Sequence, residues 1–551
     1  MTKLTLLWVC AGMLSMFANA QSDSSIAMEH HHHEDHEAGT LGHVSFPTSC
    51  AERSRQAMER GVALLHSFGY TEAQQQFETI AKDDSRCAMA HWGIAMTQFQ
   101  ELWGNPGSAQ IKRGAREMAK ARKLAGKEVT PHEQAYIDAL SAFYQPRKPS
   151  YQQRADAYEA KMNALHRNFP DDVEGAAFDA LSILAAASPS DTSLHNQREA
   201  LKLLLPLFAA NPEHPGLAHY IIHTCDAPAL ASEGLEAARE YAKIAESSPH
   251  ALHMPSHIFA RLGMWQESIR SNLASVAASE KAEAAGRPGA AHQMHAEEFL
   301  IYAYLQVGED EKARDWTFKM RSIGERMKSM PGMDDMKDEG TWIDNAVRTI
   351  YAAEMHDWKG LAAGTPAPGS WDWDKTFIYW GQGIAAGHLH NVKMAEAALT
   401  RYNESFVAIR KNSGAGAYDR SLEIKQSELV GWKEYAEDHP DAAVEAMRSA
   451  ADQQDKLGQQ EVDIPAREML GDLLMLENRP EDALAEYRTA LKLSPDRLNG
   501  LLSAGHAAEQ AKQADEAMNY YKAVVQQTDS GKHSQREDLA RAVKATLVAS
   551  R

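Results

Sequence analysis

Apolar residues recur along the chain at the three- and four-residue spacing of amphipathic helices, and these helices come in pairs. The pattern begins near residue 50 and continues almost to the C-terminus. Ala, Glu, Leu, Lys, Arg and Gln dominate while β-branched runs are scarce, which favours helices over strands. The sequence therefore predicts an all-α chain built from helix-turn-helix hairpins.

A repeat of 34 residues is clearest near the C-terminus, and 34 is the period of the tetratricopeptide hairpin. Three pairs of residues show this offset: Gly471 and Gly505, Ala483 and Ala517, and Tyr487 and Tyr521. The small residues let the two helices of a hairpin approach closely, and the aromatic residue fills the space between them. The chain resembles the tetratricopeptide repeat family. The resemblance implies a right-handed superhelical solenoid with a concave ligand groove. Segments that contain Gly and Pro, among them residues 362–373 with Trp371 and Trp373, predict irregular loops that interrupt the middle of the array.

Four further segments, at residues 60–73, 87–96, 250–269 and 297–306, are similar to a group of exported bacterial tetratricopeptide proteins. This second resemblance covers roughly residues 45 to 415 and implies a fold without an activity. Together the patterns predict five parts of the chain: a signal peptide at 1–20, a disordered His-rich segment at 21–48, an N-terminal array at 49–330, an irregular helical connector at 331–415, and a C-terminal array at 416–545.

The first twenty residues have the features of an export signal. Lys3 precedes a mostly apolar stretch from Leu4 to Phe17, and Ala18 and Ala20 give the small-x-small cleavage pattern. The apolar stretch is short for a membrane anchor, so we expect cleavage and a periplasmic or secreted protein with no membrane span afterwards. The His-rich segment behind it, including His30 to His33, can gather metal ions loosely or can be a polar tail without a partner.

Cleavage would leave three cysteines, Cys50, Cys87 and Cys225. An odd number in an oxidising compartment indicates one pair and one remaining thiol. Cys50 precedes the first hairpin and Cys87 opens the second, so we predict a disulfide between them, with three buried thiols as the alternative. Cys225 is either a soft metal ligand or a small buried apolar residue.

The formal charge of −19 excludes some classes of partner. Nucleic acid needs clustered Lys and Arg against its phosphates, and so does an anionic membrane surface. The charge therefore predicts that neither is a partner of this chain.

Histidines carry the strongest chemical signal. His219 and His223 are four residues apart, as are His253 and His257, and the two pairs are offset by 34 residues. Residues four apart lie on one face of a helix, about 5 to 6 Å from each other at Cβ. Residues at the same position of stacked repeats lie above one another, so both pairs are predicted to lie on the same surface of the array.

The repeat phase adds residues to this surface. With Gly263 in the turn of its hairpin, His250 and Arg261 share the groove face with the second pair, and the next unit contributes His295, Glu298 and Tyr302. His292 precedes that next helix and is expected to reach the site from a loop. Two other residues have weaker assignments: Asp226 either orients a histidine or caps a helix, and Pro255 is expected to kink its helix.

These residues support several hypotheses about function. In the first, the protein is a binding or scaffold protein whose groove recognises a peptide, a partner protein or a small anion through His250, Arg261, His292 and Tyr302. The same groove is predicted to hold zinc or copper on His219, His223, His253, His257, His295 and Glu298.

Two alternatives remain open. One is a metal-dependent, hydrolase-like enzyme with Glu298 as its base, and the other is metal storage or delivery, which the His-rich tail supports. No HExxH motif or catalytic-triad signature is present in the sequence, so an enzyme is the less favoured class.

Overall fold

The protein is an all-α solenoid of consecutive helical hairpins. The computed structural model describes residues 40–102, 106–126, 129–145, 150–188, 191–287, 289–327, 339–413 and 418–549, and within these ranges every regular element is a helix. The predicted signal peptide and most of the predicted His-rich segment, including His30 to His33, lie outside the described residues. The fold class predicted from the hydrophobic period is confirmed.

The helices of the first half are α1 (Arg55–His66), α2 (Tyr70–Asp83), α3 (Ala88–Phe99), α4 (Ser108–Ala125), α5 (Pro131–Phe143), α6 (Tyr151–Asn168), α7 (Val173–Ala185), α8 (His195–Ala210), α9 (Pro215–Thr224), α10 (Leu235–Ile244), α11 (Pro249–His253), α12 (Pro255–Arg261), α13 (Trp265–Ala284), α14 (Ala290–Gln306) and α15 (Asp310–Met327).

The helices of the second half are α16 (Glu339–Trp342), α17 (Arg348–Glu354), α18 (Trp358–Ala363), α19 (Asp372–His388), α20 (Val392–Ser413), α21 (Tyr418–Ala436), α22 (Pro440–Leu457), α23 (Ala466–Leu476), α24 (Pro480–Leu493), α25 (Leu498–Gln510), α26 (Ala514–Gln527) and α27 (Glu537–Ala549). Shorter elements are 3₁₀ turns at Glu52–Ser54, Ala231–Gly234 and Asp529–Gly531, and a π-helical turn at Ile343–Val347.

Small residues facing aromatic rings set the packing of the hairpins. A Cβ added at Gly471 would lie 2.5 Å from the ring of Tyr487, and one added at Gly505 would lie 2.4 Å from the ring of Tyr521. Both rings are buried. A side chain larger than hydrogen would push the helices apart, since interiors leave no spare volume. The structure thus shows the small-to-aromatic contact on which the tetratricopeptide resemblance rests.

Residues 40–48, which the composition assigns to the disordered His-rich segment, contact the folded array. Val44 and Phe46 are buried, and Phe46 stacks on Trp92 with ring centroids 5.3 Å apart. The backbone N–H of His43 also donates to the carbonyl of Glu213 at 2.9 Å. Val44 and Phe46 therefore anchor residues 40–48 to the core, although the composition of this segment marks it as polar.

Cys50 and Cys87 form a disulfide, the pairing expected from their places before the first and second hairpins. The disulfide links the segment before α1 to the residue that precedes α3. Among the described residues, Cys225 is the free cysteine, and it is buried.

The described part of the predicted connector, residues 339–413, is mostly helical. Residues 339–413 form α16 to α20, and α19 and α20 pack as a long antiparallel hairpin. Trp373, expected in a loop, lies in the first turn of α19, which begins at Asp372. The predicted loop is shorter, and it joins Ala363 to Asp372.

The C-terminal array folds back onto the N-terminal array and covers the face on which a groove was expected. The indole N–H of Trp265 donates to the carbonyl of Asp496 at 2.6 Å, and the backbone N–H of Leu498 donates to the side-chain oxygen of Gln306 at 2.9 Å. The segment from Gln459 to Asp463 then crosses the histidine-bearing helices. The surface predicted to be an open groove is therefore filled by the chain itself.

Within the described ranges, no helix combines the length and the apolar character needed to cross a bilayer.

Candidate metal centre of two histidine triads

The histidines predicted from the sequence meet in two groups of three, which we call triad A and triad B. Triad A is His219, His223 and His250, from α9 and α11. Nε2 of His219 lies 3.0 Å from Nε2 of His223 and 3.1 Å from Nε2 of His250. His219 and His250 are buried, and His223 is partly exposed.

Triad B is His253, His257 and His295, from α11, α12 and α14. Nε2 of His253 lies 3.0 Å from Nε2 of His257, and the ring centroids of His253 and His295 are 4.4 Å apart. All three side chains are buried. In each triad the three candidate ligand atoms lie within 4.8 Å of one another.

A break in one helix directs the second pair of histidines. Pro255 removes a backbone donor, so the helix divides into α11 and α12 at Met254. His253 ends the first piece and His257 lies in the second, and their rings still meet across the break. The helix is therefore interrupted next to Pro255, inside the site.

A hydrogen bond to the outer ring nitrogen orients one histidine in each triad. Nδ1 of His219 donates to the carbonyl of His66 at 2.6 Å, and Nδ1 of His253 donates to the side-chain oxygen of Asn272 at 2.7 Å. The amide nitrogen of Asn272 donates to the carbonyl of Ser268, which leaves its oxygen as the acceptor. A neutral imidazole with its proton on Nδ1 has a lone pair on Nε2.

His257 is oriented by two carboxylates. Its Nδ1 donates to Asp226 and to Glu461, each at 3.0 Å. Of the two roles open to Asp226 in the sequence, the structure thus shows contact with a histidine. Carboxylates on the outer nitrogen of a ligating histidine are a common feature of metal sites, since they fix the tautomer and raise the basicity of the ring.

Each triad is covered by one phenylalanine that contacts all three of its rings. Phe68 has ring-centroid distances of 4.4, 5.3 and 6.0 Å to His219, His223 and His250. Phe299 has distances of 5.0, 4.7 and 5.3 Å to His253, His257 and His295. The two triads therefore share one plan, namely an i,i+4 histidine pair, a third histidine from another helix and an apolar cover.

Burial keeps most of these imidazoles neutral. Desolvation, together with the neighbouring histidines, lowers the pKa of His219, His250 and His253 well below the ordinary value. The same causes lower the pKa of His223 to about 3, although Asp226 opposes them. Neutral imidazole is the form that binds a metal ion.

His257 is the exception. Burial lowers its pKa, but Asp226 and Glu461 more than offset this and raise it to about 9. A cation is therefore favoured at this ring, either as a proton on His257 or as a metal ion beside it.

A third cluster lies next to triad A. Nε2 of His66 lies 2.6 Å from Glu174 and Nε2 of His214 lies 3.2 Å from the same carboxylate oxygen, while Nδ1 of His66 meets the hydroxyl of Tyr220 at 2.8 Å. Glu174 already satisfies both rings as an acceptor. The carbonyl of His66 in turn accepts from Nδ1 of His219.

The remaining predicted site residues lie around the triads rather than within them. A carboxylate oxygen of Glu298 lies 3.5 Å from Nδ1 of His295, and burial raises the pKa of Glu298 to about 8. This places Glu298 on an outer nitrogen of a candidate ligand. His292 lies inside α14, not in a loop as predicted, with its ring 5.6 Å from that of His250.

Two residues expected to bind an external ligand hold the chain's own groups instead. Arg261 pairs with Asp226 at 2.9 Å and donates to the carbonyl of Gln459. The hydroxyl of Tyr302 donates to the carbonyl of Asp463 at 2.7 Å. The segment from Gln459 to Asp463 thus provides hydrogen-bond acceptors at the place where a peptide or an anion was expected to bind.

Cys225 does not resemble a thiolate ligand. Burial raises the pKa of its thiol to about 12, and its Cβ lies close to Gly234. Of the two interpretations open in the sequence, the structure favours the small buried apolar residue.

No family model matches the chain, and no curated protein sequence matches it. Solved structures with a similar course include the human IFIT1 dimer with m7Gppp-AAAA, at 12% identity and a TM-score of 0.35. A monomeric IFIT1 mutant with m7Gppp-AAAA matches at 12% identity and a TM-score of 0.37. Another monomeric IFIT1 mutant, with Gppp-AAAA, matches at 11% identity and a TM-score of 0.33. Each similarity covers 80% of this chain and 90% of the other. Similarity at this level carries no argument about ligands.

Proposed function

We propose that this chain is an exported transition-metal protein that holds one ion in each histidine triad on a helical-repeat scaffold. The observation that carries the proposal is the meeting of three Nε2 atoms in triad A. His219 Nε2 has a single in-plane lone pair, and the Nε2 atoms of His223 and His250 both lie within 3.1 Å of it. One lone pair serves two N–H donors poorly, whereas one metal ion satisfies all three nitrogens.

The distances fit such an ion. Zinc binds histidine nitrogen at about 2.0–2.1 Å in tetrahedral geometry, which puts two ligand nitrogens about 3.3 Å apart. The distances of 3.0 to 3.1 Å between Nε2 atoms in both triads are close to this value. Imidazole ligands suit zinc and copper equally well by type, so zinc and copper are the metals proposed.

Two features support export. The predicted signal peptide at residues 1–20 is one, and the disulfide between Cys50 and Cys87 is the other, because such bonds persist in oxidising compartments. The periplasm or the exterior of the cell is thus the proposed location.

Metal analysis of the full chain tests the proposal. The tail histidines are first replaced by alanine, so that loose binding is removed: His30, His31, His32 and His33. We expect two zinc or copper ions per chain, and one ion after His219→Ala or His253→Ala. The exposed His439→Ala serves as the matched control and should keep both ions. A chain without bound metal would show that protons alone hold the rings together, and would overturn the proposal.

A second candidate is a metal-dependent hydrolase. The observation in its favour is that each triad supplies three ligands and leaves a coordination position for water, with the carboxyl of Glu298 beside triad B. Glu298→Gln would then abolish turnover of an ester or phosphoester probe with both ions still bound. Equal turnover in Glu298→Gln and the parent chain would exclude Glu298 as the base.

A binding role for the groove, for a peptide, a partner protein or a small anion, is less well supported. Glu461 already places a carboxylate against His257 and Arg261, where the external anion was expected. The absence of a nucleic-acid partner remains a prediction from the charge.

A further inference from the structure

Triads A and B are neighbours. His250 and His253 are three residues apart in the short helix α11, and each belongs to a different triad. His292 and His295 have the same spacing on α14, and their rings contact His250 and His253 respectively, at 5.6 and 4.4 Å. Residues three apart on a helix are about 5 to 6 Å apart at Cβ. Two helices thus run side by side past both triads.

Each triad supplies three of the four ligands that a tetrahedral ion takes. Ions held in the two neighbouring triads would each keep one coordination position for a further ligand.

We propose that the two triads form one dinuclear copper centre that binds dioxygen between its ions. The inference rests on the proposed function and specifies its metal and its ligand. It starts from the shared plan of the triads: six imidazoles as ligands, three for each ion, and one phenylalanine over each group, Phe68 or Phe299.

The charge balance favours copper. The candidate ligand atoms of both triads are imidazole nitrogens, and the nearby carboxylates of Asp226 and Glu461 are shared with Arg261. A buried monovalent ion costs less to desolvate than a divalent one. Copper reaches the monovalent state whereas zinc does not, and divalent copper also binds nitrogen ligands more tightly than zinc does.

The surroundings favour a small apolar ligand. Phe68 and Phe299 cover the rings, and the segment from Gln459 to Asp463 crosses the site. The partly exposed rings are His223 and His292. Dioxygen is small and apolar enough to enter a buried site of this kind, and a large phenol or a peptide is not.

The reaction balances without a further reagent once both ions are monovalent. Each copper(I) gives one electron to dioxygen, the O–O bond falls from double to single, and the product is peroxide held between two copper(II) ions. No proton enters and no atom leaves, so release of dioxygen is the reverse step. The neutral histidines stay bound throughout.

The test loads the full chain with two equivalents of copper(I) without air and then adds dioxygen. We expect uptake of one dioxygen per two coppers, a new charge-transfer absorption band, and no electron paramagnetic resonance signal, because the two copper(II) spins couple. His295→Ala and His223→Ala should each leave one copper, lose the uptake and show the signal of a single copper(II) ion after oxidation.

The outcomes separate the two proposals. Two bound coppers that give two isolated copper(II) signals would overturn the dinuclear centre, but the proposal of a metal protein with two ions would still hold. Binding of two zinc ions in preference to copper would also overturn the dinuclear copper centre and leave that first proposal intact. A chain that binds neither metal would overturn both. The control His439→Ala should behave as the parent chain in every measurement.

Discussion

His257 and Glu461 are 204 residues apart in the chain, yet Nδ1 of His257 donates to a carboxylate oxygen of Glu461 at 3.0 Å. The contact joins the N-terminal array to the segment before α23. Arg261, one turn after His257, also pairs with Glu461 at 3.3 Å. The histidine site is therefore completed by the C-terminal part of the fold, and we expect the proposed metal binding to depend on the docking of the two arrays.

The orientation of His253 gives the first prediction. Asn272 accepts from Nδ1 of His253, so Asn272→Leu removes that acceptor while preserving the volume of the side chain. Loss of such an outer partner typically weakens metal affinity by about 10 to 100-fold. We expect this loss for one of the two ions, measured by competition with a chelator. Gln453→Leu, at an exposed glutamine, is the control, and equal affinities in both variants would contradict the orienting role.

A buried charge network around Arg497 gives the second prediction. Arg497 is fully buried and pairs with Glu354 at 2.8 Å and Glu468 at 2.9 Å. Removing one partner of a buried charge network leaves unpaired charge behind and costs about 3 to 5 kcal/mol. We therefore expect Arg497→Met to lower the free energy of unfolding by that amount in urea titration.

The matched control is Arg479→Met, whose exposed pair with Asp482 should contribute at most about 1 kcal/mol. Similar losses in the two variants would mean that the buried network contributes no more than a surface ion pair.

The hairpin packing gives the third prediction. Gly471→Ala places a methyl group 2.5 Å from the ring of Tyr487, and overpacking of this kind costs about 1 to 3 kcal/mol. We expect the variant to unfold at lower urea concentration than the parent chain. Combining it with Tyr487→Leu should make the two losses less than additive, because the ring that clashes is gone. Strict additivity would argue against the contact.

A buried carboxyl group gives the fourth prediction. Burial raises the pKa of Glu101 from its ordinary 4.5 to about 8. The folded chain thus keeps a proton that the unfolded chain loses above about pH 4.5, and stability falls as the pH rises from there to about 8.

Glu101→Gln should flatten this slope and stabilise the chain above pH 8 by up to a few kcal/mol, measured by urea titration across the pH range. Glu481→Gln, at an exposed position, controls for loss of a charge. Parallel stability curves for Glu101→Gln and the parent chain would contradict the raised pKa.

The sequence predicted what periodic patterns can encode. The 34-residue offset of His219 and His253 located the site on adjacent helices, and the Gly471 repeat located the hairpins. Both signals are local, because residues of one helix or of neighbouring repeats have a fixed geometric relation.

The rest depended on how distant parts meet. Nothing in the sequence around Glu461 indicates contact with His257, since that contact arises only when the two arrays dock. Phe68 belongs to a turn whose ordinary role is to join two helices, and its place over triad A became visible only in three dimensions. Asn272 lies within an ordinary amphipathic helix. Its spacing to His253 repeats no pattern that would have marked it.

The most direct test of the metal centre is a crystal structure of the full chain with diffraction data collected at the copper and zinc absorption edges. The account predicts two anomalous peaks, one among Nε2 of His219, His223 and His250 and one among the rings of His253, His257 and His295, each about 2.0–2.1 Å from its nitrogens. Peaks only elsewhere, or none in a metal-supplemented crystal with the triads intact, would contradict it.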